Sequence, residues 1–289
     1  MSGHDELERW RGVAAGLRGL RAEPPATLRP AVLERVGLAD AWFTVEGPAG
    51  PLLVAYNGRG ISATAPAEEE GRFLERFQAR YHRPLRRAGE PPAPLVAELR
   101  RYLDPAAPGA ARRPAARGTP PHLDLRGVSD FDRAVLRKTA EIPRGEVRPY
   151  AWVAGEIGRP SAVRAVGGAL NRNPVPVLVP CHRVVASDGR LTGYAWGVPY
   201  KRRLLAVEGA DPAALERLGR DRTRYLGSDT TRIYCYPTCH NARRIGPAHR
   251  VPFRDAADAV AAGYRPCRSC RPPAPTPSGS GARSLGGVP

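Results

Sequence analysis

A cysteine followed directly by a histidine, Cys181-His182, is the pair in this chain best suited to nucleophilic chemistry. A thiol attacks only as its thiolate, and a neighbouring imidazole can take the proton. The apolar run at 175–179 precedes the pair and reads as a buried strand, which would hold the thiol in the interior. Free cysteine often serves only as a small packed residue, so the pair alone leaves both a catalytic and a packing role open.

The other four cysteines form two close pairs, Cys235-x-x-x-Cys239 and Cys267-x-x-Cys270. This spacing suits a single Zn²⁺ ion held by four thiolates. The segment is short and weakly apolar, so the metal would supply much of its folding free energy. Two disulfides are the alternative, and an odd cysteine count in a chain without a secretion signal argues against them. No organic cofactor is expected.

The chain has a formal net charge of +17, and only two of its 45 basic residues are lysines, Lys138 and Lys201. Such an excess favours a polyanionic partner, because neutralising phosphates releases counterions. A genome-wide base bias is the alternative origin of so many arginines. No apolar run reaches the length of about 18 residues that a membrane span requires, so we expect a cytoplasmic monomer without membrane contact.

Periodicity and turn signals predict an α/β chain in six segments. They are a helical N-terminal extension (1–40), a strand-rich subdomain (41–103), a linker (104–121), a helical domain (122–210), a cysteine-rich α+β domain (211–273) and a disordered tail (274–289). Three short strands are predicted at 42–45, 52–56 and 60–64. Helices are predicted at 67–81, 94–102, 129–142, 150–157, 161–172, 199–208 and 211–220. Ser129 is the expected N-cap of its helix, and Gly209 the expected end of another.

The predicted helices at 150–157 and 161–172 are joined by a three-residue turn, which is a helix-turn-helix pattern. Ser161 is the expected N-cap of the second helix. This helix contains Gly167 and Gly168, and glycine inside a helix costs about 1 kcal/mol relative to alanine. Two explanations stay open: tight packing against a neighbouring helix, or insertion into a narrow groove of nucleic acid.

Several short motifs occur in one order and at close spacings, and together they resemble the O6-alkylguanine-DNA alkyltransferases. They are Tyr150, Arg164-Ala165-Val166-Gly167, Asn173-Pro174, Pro180-Cys181-His182-Arg183-Val184, Gly193-Tyr194 and Leu204-Leu205-x-x-Glu208. The resemblance covers about 128–209, and more weakly 41–103, where the strands look like the family's ribonuclease-H-like subdomain. It implies that Cys181 attacks the alkyl carbon on O6 of guanine in DNA and keeps the group as a thioether. Such a protein acts once.

The resemblance also implies a role for each site residue. His182 would withdraw the thiol proton through a water, and Glu208 would orient the imidazole and stabilise its charged form, so that Cys181 is held ionised. Tyr150 would donate a hydrogen bond to the departing base. Asn173 would hold the loop and the Glu208 side of the network. The backbone around Val184 and Tyr194 would read the base edge.

The implied partner is double-stranded DNA that carries alkylated guanine. The target atom lies inside the duplex, so the nucleotide must be rotated out of the stack. Arg164 would take its place, with the helix 161–172 in the minor groove. Small residues would allow that approach, because the groove is only about 6 Å wide; they are Ala165, Gly168 and Ala169.

Residues 222–273 resemble the zinc domain of Ada-type adaptive-response proteins, on the segments 229–239 and 263–272. In that family one zinc thiolate accepts a methyl group from a DNA methylphosphotriester, and the matching position here is Cys235. Arg232 stands where the family usually has glycine, and Tyr236 stands where it usually has a DNA-contacting arginine. The domain also follows the alkyltransferase segment, and no AraC-type helix-turn-helix pair is present.

The departures from the Ada-type pattern leave two roles open for the zinc domain, methyl acceptance at Cys235 and structural or DNA-anchoring support. The alternative function for the whole chain is a methylation-responsive transcriptional regulator. A lesion-binding protein without transfer activity is a third hypothesis, and the presence of Cys181 argues against it.

Overall fold

The computed structural model describes residues 28–104 and 121–273. The predicted helices before residue 28, nearly all of the predicted linker and the predicted tail lie outside this range. The described chain begins with a helix, α1 (Leu28–Val36). In the described part no helix is both long and apolar enough to cross a bilayer.

A four-stranded sheet follows α1, in the order β3-β2-β1-β4. Its strands are β1 (Asp40–Gly47), β2 (Gly50–Asn57), β3 (Gly60–Pro66) and β4 (Leu85–Arg87). The first three pair antiparallel, and β4 pairs parallel with β1. The three predicted strands are therefore confirmed, each with longer bounds.

The two faces of this sheet pack on different partners. Helix α2 (Glu70–Tyr81), preceded by a 3₁₀ turn at Ala67–Glu69, places Phe73 and Phe77 in one cluster with Trp42. Helix α3 (Ala93–Leu103) packs on the opposite face, whose side chains join the core of the next domain. The strand-rich and helical domains thus share one apolar core.

Five helices lie between residues 130 and 220 of the described chain, the last of them beyond the predicted end of the helical domain at 210. They are α4 (Asp130–Ala140), α5 (Tyr150–Glu156), α6 (Val163–Asn171), α7 (Val198–Val207) and α8 (Pro212–Arg220). Ser129 caps α4 by accepting from the Asp132 amide, and Gly209 has φ +83° after α7, as predicted. Two short strands, β5 (Arg148–Pro149) and β6 (Val184–Val185), pair parallel with each other.

The apolar run at 175–179 is fully buried but does not form a strand, so that prediction was wrong. The run makes a tight turn in which the Val179 amide donates to Val175, and Val177 has φ +73°. Pro176 lacks the N–H that a sheet ladder needs. Side chains bind the free carbonyls instead: Thr64 donates to Pro176, and Tyr102 donates to Leu178.

Helix α6 begins two residues later than predicted, and Ser161 does not cap it. The residue before its first turn is Ala162, which offers no side-chain oxygen. The Ala162 amide closes a turn onto Arg159, with Pro160 inside that turn. Proline favours this position because its φ is preset, so the chain completes a turn where the first helical residues were expected.

The C-terminal module is a small α+β unit with the sheet order β10-β8-β7-β9. Its strands are β7 (Tyr225–Ser228), β8 (Ile233–Cys235), β9 (Arg250–Phe253) and β10 (Arg265–Pro266). Two short helices, α9 (His240–Arg243) and α10 (Ala256–Ala261), and a 3₁₀ turn at Pro247–His249 complete it. The cysteines sit at strand ends and tight turns.

Candidate active site and metal centre

Cys181 begins a 3₁₀ turn, Cys181–Arg183, directly after the buried 175–179 loop. Its side chain is buried, and Asn173 Nδ2 lies 3.2 Å from Cys181 Sγ. Asn173 also donates to the Val179 carbonyl at 3.0 Å and accepts from the Val175 amide at 3.1 Å. One amide side chain therefore fixes both the loop and the sulfur.

His182, Glu208 and Arg183 form a buried row beside the cysteine. His182 Nε2 lies 3.1 Å from Glu208 Oε1. Arg183 donates two hydrogen bonds to the same carboxylate, from Nε at 2.8 Å and from Nη2 at 2.5 Å. Its Nη1 donates to the Ile142 carbonyl at 2.6 Å. Burial alone would raise the pKa of Glu208, but Arg183 and then His182 outweigh it and hold that pKa well below its usual value. Glu208 is thus ionised between two cationic or polarised partners.

The structure assigns the Glu208 side of the network to Arg183, whereas the sequence assigned it to Asn173. Asn173 bonds the loop and the sulfur, as described above, and its described bonds do not include Glu208. Arg183 is 1% exposed, and a buried guanidinium needs an acidic partner. Its place next to Cys181-His182 was the sequence signal for this role.

The surroundings of Cys181 favour its neutral thiol, whereas the family resemblance implied a sulfur held ionised. Burial raises the pKa of the thiol, and this effect exceeds the opposing hydrogen bond from Asn173 and the positive charge of Lys201. A buried thiolate is disfavoured because low-dielectric surroundings penalise charge. The thiol proton must therefore leave during the reaction.

Lys201 is a site residue that the sequence analysis did not identify. It is fully buried on α7, and its Nζ donates to the carbonyls of Val184 at 2.6 Å and Thr192 at 3.1 Å. Burial lowers its pKa to about 8, and the Cys181 sulfur opposes this shift. Its spacing from Leu204 and Leu205 places it on the core-facing side of the helix, which is the signal that could have revealed it.

Tyr150 is the first residue of α5 and is half-buried. Burial raises the pKa of Tyr150, the negative charge that Cys181 carries once it is ionised adds to the rise, and a hydrogen bond with Thr192 opposes it. Tyr194 packs edge-on against His182, with ring centroids 6.4 Å apart. Because its raised pKa keeps the Tyr150 hydroxyl protonated, this hydroxyl is suited to donate a hydrogen bond at the site.

Helix α6 exposes Arg164 and Ala165, half-exposes Gly168 and buries Ala169 completely. Ala169 therefore faces the core, so we exclude it from the predicted DNA-facing residues. A Cβ added at Gly168 would meet only the Arg172 guanidinium, at 3.3 Å, and one at Gly167 would lie 3.9 Å from the Tyr150 ring. No backbone approaches either glycine closely, so internal packing does not explain them.

The sulfur atoms of the four C-terminal cysteines all lie within 4.8 Å of one another, and all four residues are buried. They are Cys235, Cys239, Cys267 and Cys270. None of the five cysteines, all of which lie in described residues, forms a disulfide. Asn241 Nδ2 lies 3.3 Å from Cys267 Sγ, as expected of a group that supports a thiolate ligand. Four converging thiols with such support fit one Zn²⁺ ion.

Comparison with known proteins identifies the family. A methylated-DNA–protein-cysteine methyltransferase of Methanosarcina barkeri is 36% identical over 169 residues, which cover 57% of this chain and 94% of that protein. The chain belongs to this family. The corresponding protein of Mycolicibacterium paratuberculosis is 51% identical over 94 residues, which cover 32% of this chain and 56% of the relative.

Two family models match separate parts of this methyltransferase-family chain. The 6-O-methylguanine DNA methyltransferase DNA-binding domain matches residues 130–210, and the metal-binding domain of Ada matches residues 218–273. A crystal structure of Mycobacterium tuberculosis OGT in complex with DNA aligns with a TM-score of 0.46 and 32% identity, over 61% of this chain and 99% of that one.

The two departures from the Ada-type pattern have clear structural settings in this member of the family. Arg232 has φ +53°, a left-handed conformation that glycine adopts most readily, and its guanidinium lies 5.2 Å from the Tyr264 ring centroid. Tyr236 is buried against Tyr225 and under the Arg148 guanidinium. The tyrosine therefore packs inside the protein, where an Ada-type arginine would contact DNA.

Proposed function

We propose that this protein repairs double-stranded DNA by transferring an alkyl group from O6 of guanine to Cys181, once per molecule. The observation that carries the proposal is the buried Cys181 sulfur with the row His182–Glu208–Arg183 beside it. This is the arrangement of nucleophile, base and orienting carboxylate that activates a thiol.

The reaction forms one bond and breaks one. As the sulfur–carbon bond of Cys181 forms, the bond between that carbon and guanine O6 breaks, and its electron pair leaves on the base. The thiol proton passes to His182 through a water, and Glu208 stabilises the imidazolium. Tyr150 donates a hydrogen bond to the base as it gains negative charge. Asn173 and Lys201 favour the sulfur while it carries charge, since both lower the pKa of Cys181.

The product explains why the protein acts once. The alkylated Cys181 is a thioether, whose sulfur is bonded to two carbons, and a thiolate is too poor a leaving group for the alkyl group to be passed on from it. The unmodified guanine is released, and the alkylated protein remains.

We propose that α6 enters the minor groove and that Arg164 fills the space of the everted nucleotide. Arg164 and Ala165 are exposed at the start of this helix, and neither glycine of α6 is required by internal packing. With α5, α6 forms the helix-turn-helix of this proposal. The net charge of +17 supports an anionic partner.

We infer that the N-terminal sheet and its helices form a ribonuclease-H-like subdomain. Three antiparallel strands, a helix and a fourth strand parallel to the first support this inference. The subdomain contacts the 175–179 loop that precedes Cys181, because the Thr64 hydroxyl on β3 donates to the Pro176 carbonyl.

A second candidate function is methyl acceptance at Cys235 from a methylphosphotriester. Cys235 lines a surface pocket of about 310 Å³ together with Thr231, Asn241 and Arg244. The cysteine sulfur would bond to the methyl carbon while the carbon–oxygen bond breaks, which leaves a phosphodiester anion that Arg244 can pair. Bound zinc keeps its thiolate ligands ionised.

The decisive experiment is transfer of a labelled methyl group from duplex DNA, followed by mass spectrometry of the intact protein and its peptides. DNA with O6-methylguanine should add one methyl group at Cys181, and Cys181→Ala should add none while keeping its circular dichroism spectrum. Transfer by Cys181→Ala at the wild-type level would overturn the proposal. Tight lesion binding without added mass would favour the lesion-binding hypothesis.

A separate substrate tests the zinc module. DNA with a methylphosphotriester and no O6-methylguanine should methylate Cys235 in wild type and in Cys181→Ala alike. An unmodified Cys235 in zinc-loaded protein would reject this second candidate. Operator-specific binding that appears only after Cys235 is methylated would favour the regulator hypothesis.

A further inference from the structure

The C-terminal metal module docks on the catalytic domain through a buried polar contact. Glu146 of the catalytic domain is 2% exposed. Its Oε1 accepts the His240 amide at 3.0 Å, and its Oε2 pairs with Arg148 Nη2 at 2.5 Å. The Glu146 carboxylate, the Cys239 sulfur and the His240 ring all lie within 4.8 Å of one another. A catalytic-domain carboxylate therefore borders the metal centre.

Neighbouring residues extend this contact on the loop between the first two metal ligands. The Val147 amide donates to Thr238 Oγ1 at 2.9 Å, and the Thr238 hydroxyl lies 3.4 Å from the Val147 carbonyl. Beside them, the Arg148 guanidinium lies 5.3 Å from the Tyr236 ring centroid. The contact is thus made by the loop between Cys235 and Cys239, two of the four cysteines that would hold the metal.

A second contact lies at the other pair of ligands. Arg271, next to Cys270, forms two hydrogen bonds to the Glu156 carboxylate, at 3.0 and 2.6 Å, and lies 3.6 Å from Glu141. Its guanidinium is 5.6 Å from the Trp152 ring centroid. Both cysteine pairs are therefore tied to the catalytic-domain segment 141–156.

The same segment holds the alkyl-transfer site from its other side. The Ile142 carbonyl accepts Arg183 Nη1 at 2.6 Å. Gly145 has φ +71°, and a Cβ there would lie 2.7 Å from the Glu208 carbonyl oxygen. Strand β5 then pairs with β6, immediately after the Cys181–Arg183 turn, and leads into Tyr150. A shift of the segment would move Arg183, Glu208 and Tyr150 together.

We propose that the metal-loaded module is a structural part of the alkyl-transfer site, connected to it through its contacts with Glu146, Val147 and Glu156. With the metal bound, the 236–240 loop satisfies Glu146 and Val147 and holds the segment 141–149 in place. Without the folded module, the Glu146 carboxylate loses the bond from the His240 amide and the Arg148 guanidinium loses the Tyr236 ring, while the two side chains still pair with each other. A buried ion pair that has lost its other contacts is unfavourable, so the segment relaxes toward water.

The test uses the full-length, zinc-loaded protein and a matched pair of arginine variants. Arg271→Ala removes the contact to Glu156, and Arg268→Ala removes an exposed arginine beside the other ligand of the same Cys-x-x-Cys turn. Thr238→Val removes the hydrogen bonds to Val147 with little change of shape. The readouts are backbone hydrogen exchange over 141–156, zinc content, and the single-turnover transfer rate at saturating DNA. Only the last readout rests on the proposed function.

Arg271→Ala and Thr238→Val should speed exchange in 141–156 while zinc content stays at one per chain, and Arg268→Ala should match wild type. Transfer in the first two should slow about tenfold, because a misplacement of about 1 Å at a catalytic group can cost a hundredfold. Removing zinc with a chelator should enlarge both effects.

Two outcomes would overturn the proposal. One is unchanged exchange over 141–156 in zinc-free protein whose residues 222–273 have lost protection, since the modules would then be independent. The other is faster exchange with a wild-type transfer rate in both interface variants. If wild type itself transfers no methyl group, the proposed function fails, while the exchange data still decide whether the modules are coupled.

Discussion

At the scale of single residues, the reaction needs a sulfur that is neutral at rest and charged during transfer. Two opposing effects act on the pKa of Cys181: burial raises it, and Asn173 and Lys201 lower it. A neutral thiol can be buried without a large desolvation penalty. The Asn173 amide and the Lys201 charge matter when the proton has left, so their removal should affect the rate of transfer.

Lys201→Met tests this division of roles. The variant keeps most of the buried side chain but loses the charge and the bonds to Val184 and Thr192, so we expect single-turnover transfer to fall about tenfold or more, the scale expected of one lost charge-assisted contact. Arg72→Met on α2 is the control, because it removes an exposed cationic side chain outside the site and outside the segment 141–156.

The pH dependence of the Lys201→Met deficit has a defined sign. The pKa of Lys201 is lowered to about 8, so wild type loses this charge as the pH rises through that value. The variant lacks the charge at every pH. Its deficit relative to wild type should therefore be largest below pH 8 and narrow above it, as measured by transfer rates across the range. A deficit that widens above pH 8 would contradict this role.

At the scale of elements, local patterns predicted those elements whose signals are local. Ser129 capped α4 and Gly209 ended α7 as expected, because a cap depends on a few neighbouring residues. The 175–179 run was misread because burial alone does not distinguish a strand from a turn whose carbonyls are bound by distant side chains. Those partners, Thr64 and Tyr102, lie more than 70 positions away in sequence.

The same reasoning applies to the active site. Residue types singled out Cys181 and His182, and the family resemblance added Glu208, whose Oε1 lies 3.1 Å from His182 Nε2. Arg183 and Lys201 were not assigned roles, because their functions depend on burial beside partners that only the folded chain supplies.

Gly168 allows the proposed role of α6 to be separated from stability. Gly168→Ala should change the stability of the fold by less than about 1 kcal/mol, because the better helix propensity of alanine is opposed by the Arg172 guanidinium, which lies 3.3 Å from the added Cβ. It should also weaken binding to duplex DNA about tenfold, or 1.4 kcal/mol, through its added methyl in a narrow groove. Gly71→Ala on α2 is the control, since a Cβ there meets nothing within 4 Å. Thermal unfolding and DNA titration measure the two effects, and unchanged binding by Gly168→Ala would refute the groove-facing role.

A buried polar network joins the start of β1, the end of β2 and the segment that follows the undescribed residues 105–120. Asn57 Nδ2 donates to both Asp40 and Asp124, Arg126 pairs with Asp124 at 2.6 Å, and Arg83 pairs with Asp40 at 2.6 Å. Burial would raise the pKa of Asp124, but hydrogen bonds from Arg126 and Asn57 lower it to about 2. The network therefore joins the N-terminal sheet to the residues around Asp124.

The lowered pKa of Asp124 predicts an acid-dependent loss of stability. A carboxylate whose folded pKa lies below its unfolded value of about 3.9 stabilises the fold above that value. The contribution is lost as the pH falls towards 2. Asp124→Asn should be less stable than wild type at neutral pH, and its unfolding free energy should fall less between pH 5 and 2. Parallel curves for the two proteins in denaturant titrations would reject this assignment.

At the scale of the whole molecule, the net charge of +17 has two competing explanations, DNA binding and a base-composition bias. Arginines that pair with carboxylates, such as Arg83, Arg126 and Arg183, add nothing to this net charge, because their acidic partners are already subtracted in it. What distinguishes the explanations is how many cations contact phosphates at once. That number governs how steeply affinity depends on salt.

Binding to undamaged duplex DNA should therefore weaken steeply with salt. Six to ten phosphate contacts correspond to a loss of about 10³–10⁵ in affinity between 50 and 200 mM salt. Fluorescence anisotropy with a short labelled duplex at a series of salt concentrations gives the slope directly. Arg164→Gln should reduce binding to lesion-bearing DNA while leaving most of this slope, because the proposed place of Arg164 is inside the base stack and not on the backbone. If the affinity of wild type for DNA did not change with salt, the arginine excess would be explained by base composition. A surface that binds several phosphates must release their counterions, and its affinity must therefore depend on salt.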